Sequence, residues 1–154
     1  MNKTLFLQIF VISIIAGAYL FVDFNKLYAS IKGDTSYITQ DASCDLHKEA
    51  CEITIEDGTK FTLEVFPKHI PLMENLRFKV HSSNKDLKNL KLNIYATNMF
   101  MGDFFLDLKP QEDGSLEAKG TLPTCPVGKM QWNADLKVEK LTQDIGARFQ
   151  FQTK

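Results

Sequence analysis

Residues 51–80, CEITIEDGTKFTLEVFPKHIPLMENLRFKV, carry the pattern on which the fold turns. Apolar side chains recur at every second place: Ile53 and Ile55, then Phe61, Leu63 and Val65, then Leu76, Phe78 and Val80. A period of two puts these residues on one face of an extended chain, whereas a helix would repeat them every third or fourth place. Asp57-Gly58 separates the first two runs, where a tight hairpin needs residues that tolerate positive φ. Pro67 and Pro71 punctuate the gap between the second and third runs.

The same alternation continues toward the C-terminus. Leu90, Leu92, Ile94 and Ala96 form one run, and Phe104, Leu106 and Leu108 the next. Leu116 and Ala118, then Trp132, Ala134, Leu136 and Val138, then Ala147, Phe149 and Phe151 complete the set. Turn signals fall between them at 110–114 and 123–128, and helix starts are absent. Eight short strands with one apolar face each must bury that face on a second layer. The expected fold is all-β, an immunoglobulin-like antiparallel β-sandwich spanning 44–154, with Trp132 in its core.

Ahead of it the chain changes character. Residues 5–22, LFLQIFVISIIAGAYLFV, carry no charge, and as a helix they would extend roughly 27 Å against the ~30 Å of a bilayer core. Met1 and Lys3 form a short positive flank, which favours an N-terminus in the cytoplasm. An N-terminal transmembrane helix in 1–22 is therefore expected, with the lipid bilayer as its partner. The rival is a cleaved signal, for which Ala16-Gly17-Ala18 supplies small residues; Tyr19 to Val22 prolong the apolar run beyond that site. Both readings export the same domain, to the periplasm from an inner membrane. Residues 23–43 lack a sustained period and read as a linker.

The whole chain has 154 residues, 18 Lys+Arg against 19 Asp+Glu, and a formal net charge of -1. Scattered lysines without a positive excess offer nothing to neutralise a phosphate backbone, so nucleic acid is not expected as a partner.

Three cysteines, Cys44, Cys51 and Cys125, suit an oxidising compartment. Cys44 and Cys51 flank a short segment that can loop back to form a disulfide, although Cys125 could pair with either. One cysteine is left over in any pairing.

Catalytic patterns are missing from the sequence. There is no Cys-x-x-Cys, no glycine-rich phosphate loop and no His-Glu-x-x-His. His47, His69 and His81 fall in separate segments and read as surface residues, and the carboxylates are isolated. The expectation is a protein that is not an enzyme.

One cluster invites chemistry: Asn98-Met99-Phe100-Met101-Gly102, followed by Cys125 and Met130 around a Pro/Gly turn. If the strand from Leu90 continues, Met99 and Met101 point to one side. Thioether and thiolate donors select Cu(I), so Met99, Met101, Cys125 and Met130 are the candidate metal ligands. The plainer alternative is that the methionines fill an irregular end of the core and Cys125 is buried beside them.

Met99, Met101 and Gly102, then Asp113-Gly114, Gly120 and Trp132, resemble the pattern of the FixH-like and YtkA-like exported sandwich domains. The layout, with Cys44 and Cys51 ahead of a first hairpin and Cys125 before Met130-x-Trp132, is also similar to membrane-anchored envelope proteins of Gram-negative bacteria. The resemblance implies an accessory role in copper handling or respiratory oxidase assembly. The chain departs from the pattern by inserting the Cys125 loop and by lacking a histidine near the methionines. The competing expectations are an interaction module held beside a membrane protein partner, and a thiol redox protein using Cys125 against the Cys44/Cys51 pair.

Overall fold

The computed structural model describes Gln8 and residues 35–87, 90–124, 128–138 and 145–153. Apart from Gln8, the anchor expected in 1–22 falls outside these residues; among the described residues no helix is long and apolar enough to cross a membrane. Thr35–Lys154 form one compact unit.

Among the described residues the unit is all-β. Its strands are β1 (Ser36–Thr39), β2 (Cys51–Thr54), β3 (Lys60–Phe66), β4 (Leu76–Ser82), β5 (Lys91–Ala96), β6 (Asp103–Asp107), β7 (Lys109–Pro110), β8 (Leu116–Gly120), β9 (Met130–Val138) and β10 (Ile145–Thr153). They make two five-stranded sheets. One has the order β1-β10-β9-β5-β6 and the other β2-β3-β4-β8-β7. The inner faces meet in a single core that joins Phe61, Phe78 and Val80 to Trp132, Leu136 and Phe149. This is a β-sandwich, built by the alternation in the sequence: in β3 Phe61, Leu63 and Val65 are buried while Lys60 is exposed.

The eight runs of alternating residues all become strands. β1 and the two-residue β7 are additional, and both lack a sustained apolar period. β1 lies inside the segment 23–43 read as linker, so the compact unit starts at Thr35 and not at Cys44. The expected antiparallel pattern also needs one correction, because β1 runs parallel to β10, with Ser36 opposite Ile145 and Thr39 opposite Arg148. A parallel neighbour requires a long crossover. Here the rest of the sandwich supplies it.

Two glycines are demanded by this geometry. Gly58 turns the β2–β3 hairpin at φ 82°, with Thr59 N–H donating to Asp57 Oδ1 at 2.8 Å. Gly146 lies opposite Tyr37, and a Cβ there would stand 2.5 Å from Tyr37 Cε1 and 2.7 Å from the Leu136 carbonyl oxygen. The Tyr37 ring thus packs on bare backbone, which holds β1 against β10.

Candidate functional site

The register brings distant segments to one end of the sandwich. β10 ends there, β9 and β6 begin there, and β5 leads into the 97–102 loop. Residues 40–50, 67–75, 121–124 and 128–129 lie at the same end. β1 starts at the opposite end, where Ser36 faces the beginning of β10. Loops at one end of a sandwich, positioned by a rigid scaffold, are where recognition residues concentrate.

A cleft of about 970 Å³ opens at this end. One wall is the 40–48 segment and its floor includes Gln131, Asn133, Gln150 and Gln152 from β9 and β10. The wall is fastened by one main-chain hydrogen bond and then by side chains acting in place of a strand. Beyond the end of β1, Gln40 N–H donates to Arg148 O at 3.0 Å. The Gln40 amide then donates to Gln150 O at 2.9 Å and accepts from Gln150 N–H at 3.1 Å. The His47 ring sits between two main-chain oxygens, Nδ1 3.0 Å from Lys68 O and Nε2 2.7 Å from Gln152 O. The outer main-chain oxygens of β10 are therefore covered by one loop, and that loop is also the wall of the cleft.

The Cys44–Cys51 disulfide closes the wall, with an S–S distance of 2.04 Å. Of the pairings open in the sequence, this one forms. Asp45 lies in the closed segment. The His47 N–H and then Lys48 hold its carboxyl below the usual range. Lys48 Nζ is 3.2 Å from Asp45 Oδ2, and Lys129 and the exposed His69 add further nitrogen-bearing side chains to the lining. The cleft thus presents several amides, with its carboxylate already engaged. Such a surface suits hydrogen bonding to a polar ligand better than proton transfer.

Beside the cleft stands the methionine loop. β5 ends at Ala96, so the strand does not carry Met99 and Met101 on one side as the alternation suggested. Asn98 interrupts it: its Nδ2 donates to Lys129 O at 2.9 Å, and its Oδ1 accepts from Gln131 N–H at 3.2 Å. Gly102, at φ 81°, then returns the chain into β6. Met99 and Met101 are half-buried and pack against the core. Met130, the first residue of β9, is fully buried within the core. Cys125 lies outside the described residues. Three of the four sequence-derived candidates thus share one end of the sandwich, and Phe100 between the two methionines is 96% exposed. Among the described residues no group of three His, Cys, Asp or Glu side chains converges as a metal site.

A polar network covers the outer face of the β1–β6 sheet next to the cleft. Arg148 binds Asp135 through two hydrogen bonds, Tyr95 OH donates to Asp135 Oδ2 at 3.2 Å, and Asn133 Nδ2 donates to Tyr95 OH at 3.0 Å. Gln150 Nε2 extends the chain to Asn133 Oδ1 at 3.0 Å. Burial, and then Asp135, push the Tyr37 hydroxyl above its usual range; burial leads for Tyr95 as well.

Reasoning from sequence missed this face and the cleft floor. Their signal was present in the polar partners of the alternation, Asn133 and Asp135 on one strand and Arg148, Gln150 and Gln152 on the next. His47 is not the free surface residue its sequence context suggests, because its ring ties the 40–48 segment to Lys68 and Gln152. His69 and His81 are exposed as expected.

Fold and site together define a β-sandwich with a loop-walled polar cleft at one end. Comparison of the chain with protein-family models, curated proteins and solved structures finds no match.

Proposed function

We propose that the chain is a membrane-anchored binding module of the bacterial envelope that works through the loop end of its sandwich, without covalent chemistry. The observation that carries this reading is the polarity of the domain. The chain arrives at one end with β1, and the cleft, the disulfide-closed wall and the methionine loop gather at the other. The cleft therefore lies at the end of the sandwich opposite the start of β1. A place among FixH-like and YtkA-like domains belongs to the same proposal.

The immunoglobulin-like assignment also belongs here. The order β3-β4-β8-β7 matches the A-B-E-D sheet of that fold, and β10-β9-β5-β6 matches G-F-C-C′. Two features differ from antibody domains: Trp132 lies on the strand equivalent to F and not C, and the disulfide closes a loop without joining the sheets.

The test is site-specific photo-crosslinking of the full chain in envelope membranes. A crosslinker replacing Phe100 at the loop end should give a discrete adduct, and one replacing Glu56 in the β2–β3 hairpin should not. Adducts of equal yield at both positions, or at Glu56 alone, would overturn the assignment of the binding end.

A second reading, Cu(I) binding by Met99, Met101 and Cys125, is favoured by the Asn98 clamp, which ties the methionine loop to the segment that follows the cysteine. Met130 fits that set less well, since its side chain is fully buried in the core. Anaerobic titration should give one Cu(I) per chain, and the triple variant Met99→Leu, Met101→Leu, Cys125→Ser should weaken it strongly. Unchanged affinity in the triple variant removes the metal reading.

A further inference from the structure

We propose that β6 is a docking edge for an extended segment of another protein, one that carries basic residues four positions apart with an apolar residue midway between them. None of the β6 residues lines the cleft, so this goes beyond the loop-end reading and is tested separately.

Four strands lie at sheet edges, and three of them are poor templates. β1 and β2 have four residues each, and β7 has two, one of them Pro110. β6 is the longest, and among the described residues it pairs on one side only, with β5. Its inner side chains are committed. Phe104 meets Trp132 with ring centroids 6.4 Å apart, and Leu106 closes on Gly120, where a Cβ would lie 2.9 Å from Leu106 Cδ1. These contacts hold β6 as a fixed strand. Its outer side chains, Asp103, Phe105 and Asp107, project from the sheet, and Phe105 is 65% exposed.

Acidic side chains on an edge ordinarily prevent sheets from adding to one another. A large exposed aromatic at the centre of the same edge does the reverse. The two are reconciled if the edge rejects its own copies and accepts a different strand. In a symmetric antiparallel pairing of two β6 strands about Phe105, Asp103 of one copy stands opposite Asp107 of the other, and like charges directly opposite are destabilising. A strand with Lys or Arg at those two places reverses the sign. β5 already shows half of this chemistry on the other flank: Lys91 is the register partner of Asp107, with Nζ 3.6 Å from Oδ1. Strand addition would supply main-chain hydrogen bonds, while the two carboxylates and Phe105 select the partner.

The contrast with the second sheet supports an outward role for this one. The outer face of β2-β3-β4-β8-β7 is laced with ion pairs, Lys60–Glu52, Arg77–Glu117 and Lys79–Asp113, each with at least one exposed member. The outer face that ends in β6 carries Phe105, Tyr95, Tyr37 and Arg148, the residue types enriched at interface cores.

The test uses the full chain in nanodiscs and three fluorescent peptides, each flanked by glycines. The first is Lys-Val-Tyr-Val-Lys, the second replaces both Lys by Glu, and the third is the Lys peptide with alternate main-chain nitrogens methylated. The Lys peptide should bind. Its affinity should fall about tenfold or more in the Asp103→Asn, Asp107→Asn variant, and by a similar factor on methylation, which keeps the charge but removes donors. Phe105→Ser should weaken it as well, and unchanged circular dichroism would show that the variants fold. Failure of the Lys peptide to bind at roughly millimolar concentration, equal binding of the Glu peptide, or indifference to methylation would each overturn the proposal.

Discussion

Arg148 and Asp135 face one another across β10 and β9 through two parallel hydrogen bonds, Nε to Oδ1 at 2.8 Å and Nη2 to Oδ2 at 2.7 Å. The pair lies on the outer face of its sheet, where a sandwich usually meets water, yet the Asp135 side chain is only 3% exposed and that of Arg148 27%. Tyr95 and the Tyr37 ring, 4.4 Å from the guanidinium, enclose it. Burial makes the pair consequential, because losing one member strands the other.

Arg148→Ala should therefore destabilise the domain by about 2–3 kcal/mol, somewhat less than the ~3–5 kcal/mol of a fully buried pair, since Arg148 keeps partial contact with solvent. A double-mutant cycle with Asp135→Ala, followed by urea denaturation, should return a coupling of about 1.5 kcal/mol. Simple additivity would show that the pair is an ordinary surface contact.

Gly146→Ala places a methyl group against the Tyr37 ring and the Leu136 carbonyl. The ring can swing away but the carbonyl belongs to the β9 backbone, so a loss of about 1–3 kcal/mol is expected, with freer amide exchange along β1. Adding Tyr37→Ala should recover only part of it. Full recovery would mean that the backbone contact carries no strain.

Alkylation under denaturing conditions should count one free thiol before reduction and three after it, since Cys44 and Cys51 are paired. Replacing both by Ser should cost about 2.5 kcal/mol from the chain entropy of so short a loop. It should also loosen the 40–48 wall. Three free thiols before reduction would contradict the disulfide.

Asp113 is exposed, yet Lys79 Nζ, donating at 2.6 Å, and then the Ser115 hydroxyl and N–H hold its carboxyl below the usual range. A depressed folded value means that the ionised form favours the folded chain. The contribution is fully present above the unfolded value of about 3.9 and is lost as pH falls through the lower folded value. The stability difference between wild type and Asp113→Asn should accordingly shrink as pH drops below about 4. A difference that stays constant into strong acid would refute the assignment.

Asn98→Ala removes both hydrogen bonds that clamp the methionine loop to Lys129 and Gln131. A cost of about 1–2 kcal/mol is expected, with broadened Met99 and Met101 methyl signals in NMR spectra. Unchanged signals would show that core packing alone orders the loop.

Alternation by itself determined the class of fold and its interior. Every run from Ile53 to Phe151 became a strand, because a period of two can bury an apolar face only as an extended chain, and Trp132, Phe61 and Phe149 went to the core for the same reason. The Asp57-Gly58 turn was equally legible, since a local φ requirement needs no distant partner. Tertiary structure alone decided what depends on register between segments far apart in the chain. β1 carries no apolar period and exists only because Tyr37 finds Gly146 and Gln40 finds the edge of β10. The cleft exists because the 40–48 wall meets β9 and β10, and the methionine loop left its strand because Asn98 finds the backbone of Lys129 and Gln131. Side-chain hydrogen bonds and close approaches across many residues leave no periodic mark on a sequence, whereas burial of one face of a strand does.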